Sequence, residues 1–249
     1  MLLLNIAVIF AGGTGVRMNS HTRPKQFLEL HGKSILLHTI EQFEFHPDID
    51  FIVVACLENW IGILKNELYR FGIKKVRWIV EGGETVQKSI YNALKKIEDS
   101  IDLADDDIVL LHDGVRPLIN QQLISQNIES VKKYGSGITV AYQYETVVTV
   151  NKDGFVNQVI DRNTARIAKA PQSFYIKDVL EAHKKANSEN KKNFIDTASL
   201  MSNYGYRLRQ VIGSANNLKV TTATDFYMFK AMLDARENSQ IFGYNENDG

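Results

Sequence analysis

A glycine-rich turn near the start of the chain is followed by two cations. Ala11, Gly12, Gly13, Thr14 and Gly15 come directly after the apolar run 6–10, and Arg17 and Lys25 follow, the latter in Pro24-Lys25-Gln26. A glycine turn at the end of a buried strand lets backbone N–H groups approach an anion without Cβ obstruction. Two cations beside it suit a polyphosphate. Farther on, Asp113 closes another apolar run, 108–111, in His112-Asp113-Gly114-Val115-Arg116-Pro117. A carboxylate at the carboxyl end of a strand is placed to hold Mg²⁺ beside a nucleotide, because Mg²⁺ takes one or two carboxylates and fills its shell with phosphates and water. A turn-forming role before Gly114 fits the same residue. Asp225 offers a second carboxylate or, equally, the negative charge that a helix N-terminus favours. Arg116, Arg162 and Lys219 complete a scattered set of cations. The residues together point to a nucleoside triphosphate site.

Two commoner glycine motifs are excluded. The dinucleotide fingerprint needs a small residue where Met18 stands, and no Gly-Lys-Ser/Thr follows to make a P-loop. No general base is needed if the acceptor is a phosphate monoester, whose second pKa of about 6 leaves it mostly dianionic at neutral pH. Positioning and charge stabilisation by Lys, Arg and Mg²⁺ then suffice. His112 reads as a packing or orienting neighbour, and the lone Cys56, inside the apolar run 51–57, as a core residue.

The elements that must position these residues alternate. Strands are expected over 6–10, 51–57, 76–80 and 108–111, and amphipathic helices over 34–45, 61–71 and 85–97, with Ser34 as an N-cap. The alternation implies an α/β fold: a Rossmann-like, mostly parallel sheet covered by helices, with ligands at the carboxyl ends of its strands. The pattern changes after Ile138. Two strands, 146–150 and 155–160, flank an Asp153-Gly154 turn and form a β-hairpin with no buried face of its own. Helices near 176–187, 196–204 and 225–237 and a strand near 207–212 complete the chain. No linker or repeat divides it, so residues 1–249 read as a single domain carrying a protruding hairpin arm over 139–163.

Size and composition agree with this class. The 249 residues are 44% hydrophobic and 23% charged, enough for one large core. With 29 basic and 29 acidic residues the formal net charge is zero, which argues against nucleic acid as a partner. One cysteine permits no internal disulfide, and the apolar start is too short to span a membrane. A cytoplasmic protein is expected.

Seven segments occur in order: residues 11–17, 24–26, 82–83, 112–117, 161–163, 170–174 and 217–221. This set resembles the cytidylyltransferase family that includes 2-C-methyl-D-erythritol 4-phosphate cytidylyltransferase and ribitol-5-phosphate cytidylyltransferase, over residues 6 to about 235. The resemblance implies a nucleotide-diphospho-sugar transferase type of fold and transfer of CMP from CTP to a small polyol phosphate, releasing pyrophosphate. Arg17 and Lys25 would bind the triphosphate and stabilise the pentavalent α-phosphorus, with Lys219 on the phosphates. The loop glycines, Gly13 and Gly15 among them, would cradle the nucleotide. Backbone near Ala11 and Gly12, with Gly83, Glu84 and Ser89, would hold the cytosine. Asp113 would bind Mg²⁺ or the ribose. Arg116, Thr146 and Ala170 would lie at the acceptor. Arg162 would reach from the hairpin arm into the partner's site of a homodimer. Departures from the family pattern fall at Val86, Glu145 and Ala170, the last two around the acceptor. The segment around Trp60 is similar to the ribitol-phosphate branch and leans the acceptor toward a pentitol phosphate, a precursor of cell-envelope polymers. The isoprenoid-pathway enzyme is the alternative acceptor reading. An inactive nucleotide-binding homologue and a sugar-1-phosphate nucleotidyltransferase are the remaining ones.

Overall fold

In chain order the elements are β1 (Asn5–Ala11), a one-turn 3-10 helix (Lys25–Phe27), the short pair β2 (Glu29–Leu30) and β3 (Lys33–Ser34), α1 (Ile35–Glu44), β4 (Phe51–Cys56), a second 3-10 turn (Glu58–Trp60), α2 (Ile61–Arg70), β5 (Val76–Glu81), α3 (Val86–Glu98), β6 (Ile108–Asp113), α4 (Gln121–Tyr134), β7 (Ser136–Tyr142), β8 (Val147–Val150), β9 (Val156–Ile160), β10 (Arg166–Tyr175), α5 (Ile176–Ser188), α6 (Thr197–Asn203), β11 (Gln210–Ile212) and α7 (Ala223–Phe242). The structure is a computed structural model that describes residues 3–13, 23–192 and 194–242.

Seven strands form one sheet in the order β11-β7-β10-β6-β1-β4-β5. Every neighbouring pair is parallel except those of β10, which runs antiparallel to both β6 and β7. The sheet is apolar on both faces because β1 over 6–11, β4 throughout and β6 over 108–111 are apolar at successive positions, with polar residues kept to strand ends. Ala7, Ile9 and Ala11 of β1 face a core shared with α1, α2 and α4, and Ile6 and Val8 face a second core shared with α3, α5 and α6. The chain lays β4 and β5 on one side of β1 and then returns to place β6 on the other. That reversal opens a crevice at the carboxyl ends of β1 and β6, where α/β folds bind ligands.

The helix starts follow from their caps. Ser34 Oγ accepts from Leu37 N at 3.0 Å and Thr85 Oγ1 from Lys88 N at 3.1 Å, so each closes a first turn whose N–H groups lack helical partners. Besides the short pair β2 and β3, the elements with no counterpart among the sequence expectations are α4, β7 and β10. The arm expected over 139–163 is also shorter than that. Residues 136–142 are β7, paired with β10 and β11 and buried through most of their length, which leaves β8 and β9 as a separate two-stranded sheet. Its turn is as expected: Asn151 Oδ1 accepts from the N–H groups of Asp153 and Phe155, and Gly154 takes φ +87°, open to glycine at no steric cost.

Candidate functional site

The carboxyl ends of β1, β5 and β6 surround a cleft of about 360 Å³. Its floor comes from Phe10 to Gly13, one wall from Gly83 to Val86 with Ser89, and the opposite side from Lys25, Gln26, Asp113 and Lys219. Two loops meet here at backbone distance. A Cβ on Gly12 would come within 2.9 Å of Ser89 Oγ and 3.2 Å of Gly82 Cα, and one on Gly82 within 2.9 Å of Gly12 Cα. Glycine on both sides is therefore what permits the approach. Ser89 fixes the second loop by accepting from Gly83 N at 3.0 Å while donating to Thr85 O at 3.0 Å.

The Lys25–Phe27 turn is held in place from two directions. Gln26, 1% exposed, donates from Nε2 to Ala11 O at 2.7 Å and to Gly13 O at 3.1 Å. Behind it, Phe27 stacks on Trp60 with ring centroids 4.6 Å apart, and Trp60 packs against the core. Trp60, partly buried against the core, thus buttresses the turn that presents Lys25.

Asp113 pairs in register with Phe10 of β1, which sets its carboxylate beside the start of the glycine turn. Its Oδ1 lies 2.6 Å from Lys219 Nζ and its Oδ2 3.2 Å from Arg116 Nε. Burial opposes the charge of this carboxylate, but Lys219 and then Arg116 overcome it and hold the pKa below the ordinary aspartate value. A backbone bond from Val220 N to Val115 O, 2.8 Å, brings the Lys219 segment alongside. His112 is wholly buried against Phe43, and one ring nitrogen, Nε2, contacts Arg116 O at 3.0 Å. Burial lowers its pKa to about 4, so it stays neutral and orients rather than titrates. Cys56 is equally inert, its thiol pushed up to about 12 by burial.

The structure thus brings together Ala11, Gly12, Gly13, Lys25, Gly83, Glu84, Ser89, Asp113 and Lys219. Gly15 and Arg17 lie outside the described residues. Arg116 and Ala170 sit together on the β10 side of Asp113: Arg116 Nη1 donates to Asn217 O at 2.7 Å, and Asn217 Nδ2 to Ala170 O at 2.7 Å. Thr146 and Arg162 are exposed residues flanking the hairpin and do not line the cleft. Sequence reasoning missed Gln26 and Asn217 as positioning residues, although both fall in segments it singled out. Their role depends on partners 13 to 101 positions away, which spacing does not reveal.

For Mg²⁺, the donor chemistry fits one of the two candidates. Asp113 is a carboxylate at the cleft, and a carboxylate has about four lone-pair sites, so two cationic neighbours do not exhaust it. Asp225 does not line this cleft and so does not fit. Its Oδ2 accepts from Thr221 N, Thr221 Oγ1 and Thr222 N at 2.7 to 2.8 Å, while its own N–H donates to Thr222 Oγ1 at 3.2 Å. That reciprocal pair is a capping box at the start of α7, the helix-terminus role that its position also allowed. Asp225→Ala is accordingly expected to destabilise the fold by about 1 kcal/mol, lowering Tm by about 2–4 °C, with kcat little changed. Thermal melting beside a turnover assay checks this, and a collapse of kcat at normal Tm would return Asp225 to the metal site.

A protein-family model described as IspD, 2-C-methyl-D-erythritol 4-phosphate cytidylyltransferase, matches residues 5–235. Ribitol-5-phosphate cytidylyltransferase of Vibrio parahaemolyticus serotype O3:K6 (strain RIMD 2210633) is 49% identical over 240 residues, 96% of this chain and 100% of that protein. The 2-C-methyl-D-erythritol 4-phosphate cytidylyltransferase of Clostridium novyi (strain NT) is 36% identical over 231 residues, 92% of this chain and 96% of that one. Among solved structures, 4-diphosphocytidyl-2C-methyl-D-erythritol synthase from Anaerococcus prevotii DSM 20548 superposes with a TM-score of 0.80 at 25% identity, covering 93% of this chain and 96% of that one.

Proposed function

The chain belongs to the 2-C-methyl-D-erythritol 4-phosphate cytidylyltransferase family, and from that premise we propose that it transfers CMP from CTP to ribitol 5-phosphate, giving CDP-ribitol and pyrophosphate. The observation that carries the catalytic part is Asp113, held ionised between Lys219 and Arg116 at the edge of the glycine-lined cleft. The pentitol acceptor rests on the 49% identity to a ribitol-5-phosphate enzyme, against 36% to one that uses the methylerythritol phosphate.

An oxygen of the acceptor phosphate attacks the α-phosphorus of CTP, the new P–O bond forms, and pyrophosphate departs with the electrons of the bond that breaks. No base is required, because the attacking phosphate is mostly dianionic at neutral pH with a pKa of about 6. Lys25 and Arg17 stabilise the charge that builds on the α-phosphate, and Lys219 neutralises phosphate oxygens from the far side of the cleft. Gly83, Glu84 and Ser89, with backbone near Ala11 and Gly12, hold the cytosine. Arg116 draws the acceptor phosphate toward the end of the cleft. Mg²⁺ held by Asp113 supplies further positive charge to the triphosphate when bound.

We also propose a homodimer. Val148, Val150, Phe155, Val156 and Val159 of the hairpin and its turn are 43% to 73% exposed, an apolar surface that a second copy would bury. Arg162, just past β9, would then enter the partner's site from the Asp161–Thr164 turn. Among the described residues no helix is long and apolar enough to cross a membrane. CTP and a sugar-alcohol phosphate are charged metabolites of the cell interior, which supports a cytoplasmic reaction.

The test is a panel of polyol phosphates with CTP and Mg²⁺, read as pyrophosphate release. Ribitol 5-phosphate is expected to give the highest kcat/KM. Highest turnover with 2-C-methyl-D-erythritol 4-phosphate would move the protein to the isoprenoid branch, and no turnover with any acceptor would leave an inactive nucleotide-binding homologue.

A further inference from the structure

Lys169 lies in β10 immediately before Ala170, and its half-buried ammonium has only neutral partners. Nζ donates to Ala215 O at 2.9 Å and Asn217 O at 3.1 Å, and the latter oxygen also accepts from Arg116 Nη1 at 2.7 Å. Two cations thus converge on one carbonyl. The carboxylate nearby, Asp113, is already engaged by Arg116 and by Lys219. Arg116, Lys169 and Lys219 against Asp113 make three positive charges to one negative. Burial, and then repulsion from Arg116, lower the Lys169 pKa, and no carboxylate pairs with it among the described residues. Holding like charges together in a half-buried place is costly unless an anion arrives to compensate them.

The position of the pair says which anion. Asp113 and Lys219 line the nucleotide cleft, whereas Arg116 and Lys169 do not. They stand behind Asp113 on the β10 side. An ammonium has three N–H donors, and two of those on Lys169 are taken by carbonyls, leaving one for a ligand. Ala170, the next residue, brings only a methyl group. We propose that Lys169 binds the phosphate group of the acceptor together with Arg116, and so helps to select a phosphorylated acceptor. This rests on the nucleotidyl-transfer reading above. A phosphomonoester carries a charge of about −1.5 to −2 at neutral pH, which matches the local excess. The carbonyls of Ala215 and Asn217 aim the ammonium in advance of binding, so less side-chain freedom is lost when the phosphate docks.

The test compares the full chain with Lys169→Met, which keeps the bulk without the charge, and Lys169→Arg, which keeps the charge. With ribitol 5-phosphate as acceptor, Lys169→Met is expected to raise the acceptor KM about ten- to hundredfold, the loss of one charge-assisted hydrogen bond. The KM for CTP and the melting temperature should stay near wild type, and Lys169→Arg should recover most of the acceptor affinity. An unchanged acceptor KM, or equal losses for CTP and acceptor with a lowered melting temperature, would overturn the proposal and make Lys169 a strut between β10 and the 215–217 loop. Calorimetric titration with ribitol 5-phosphate separates this from the nucleotidyl-transfer reading, because it needs no turnover. If the wild type proves inactive on every acceptor, binding lost in Lys169→Met still supports the phosphate site. Equal binding by both proteins, or none by the wild type, refutes it.

Discussion

Lys25→Ala is expected to lower kcat for CMP transfer by about 10³-fold, with the KM for CTP changing only a few-fold. The size follows from where the charge develops. In the ground state the triphosphate's negative charge is spread over many oxygens, and several cations share it. On the proposed reading, charge concentrates at the pentavalent α-phosphorus on oxygens beside Lys25, so that cation would matter more to the transition state than to binding. The variant should also fold normally. The turn that carries Lys25 is secured by Gln26 through the carbonyls of Ala11 and Gly13, and by the stacking of Phe27 on Trp60, none of which involves the lysine side chain. Pyrophosphate release at saturating acceptor, with a melting curve alongside, measures both halves. Activity within tenfold of wild type would remove Lys25 from the transition state.

The expectations that survive intact are those written in local chemistry. Ser34 and Thr85 are good N-caps before apolar residues at helical spacing, and α1 and α3 begin right after them. The Asn151-to-Gly154 turn carries its own hydrogen bonds, so the hairpin around it is legible from a dozen residues. What escapes is what depends on distant pairing. β10 mixes Arg166, Lys169 and Gln172 with apolar residues, and its register on β7 shifts between Ala168 and Gln172, so no clean alternation marks it as a strand. It becomes one by filling the place between β6 and β7 and pairing antiparallel with both. α4 is different. Asn120 caps it and Gly135, at φ +80°, ends it, both ordinary signals, and its buried stripe Leu123, Ile124, Ile128 and Val131 is helical in spacing.

The site divides along the same line. The donor half is readable because glycines and cations cluster within the first 25 residues, and Asp113 ends an unmistakable buried strand. The proposed acceptor half is assembled from β6, β10 and the 215–219 loop, joined through Asn217, which takes Arg116 and Lys169 on its carbonyl and gives its amide to Ala170. No spacing rule connects residues about a hundred positions apart. A side chain such as Lys169 therefore gains meaning only when its neighbours are known.

Mixing Arg162→Ala with Lys25→Ala is expected to restore activity to about one quarter of wild type, although each variant alone is nearly inactive. The quarter is a matter of counting. Random exchange of subunits makes half of the dimers mixed. If Arg162 serves the partner's site, each mixed dimer holds one site that lacks both residues and one that has both. Were Arg162 to serve its own site, every site in the mixture would lack one residue and nothing would be regained. The geometry favours the first arrangement. Arg162 is exposed on a turn fixed by Asp161, whose Oδ1 accepts from Asn163 N at 2.9 Å and whose carbonyl accepts from Thr164 N at 3.0 Å. It adjoins a hairpin whose valines and Phe155 are exposed among the described residues. Among the described residues the guanidinium makes no hydrogen bond or ion pair and does not line the cleft of its own chain. Size-exclusion of differently tagged subunits confirms exchange, and pyrophosphate release before and after mixing gives the result. Exchange without recovered turnover would place Arg162 outside the partner's site and leave the apolar hairpin as an interface alone.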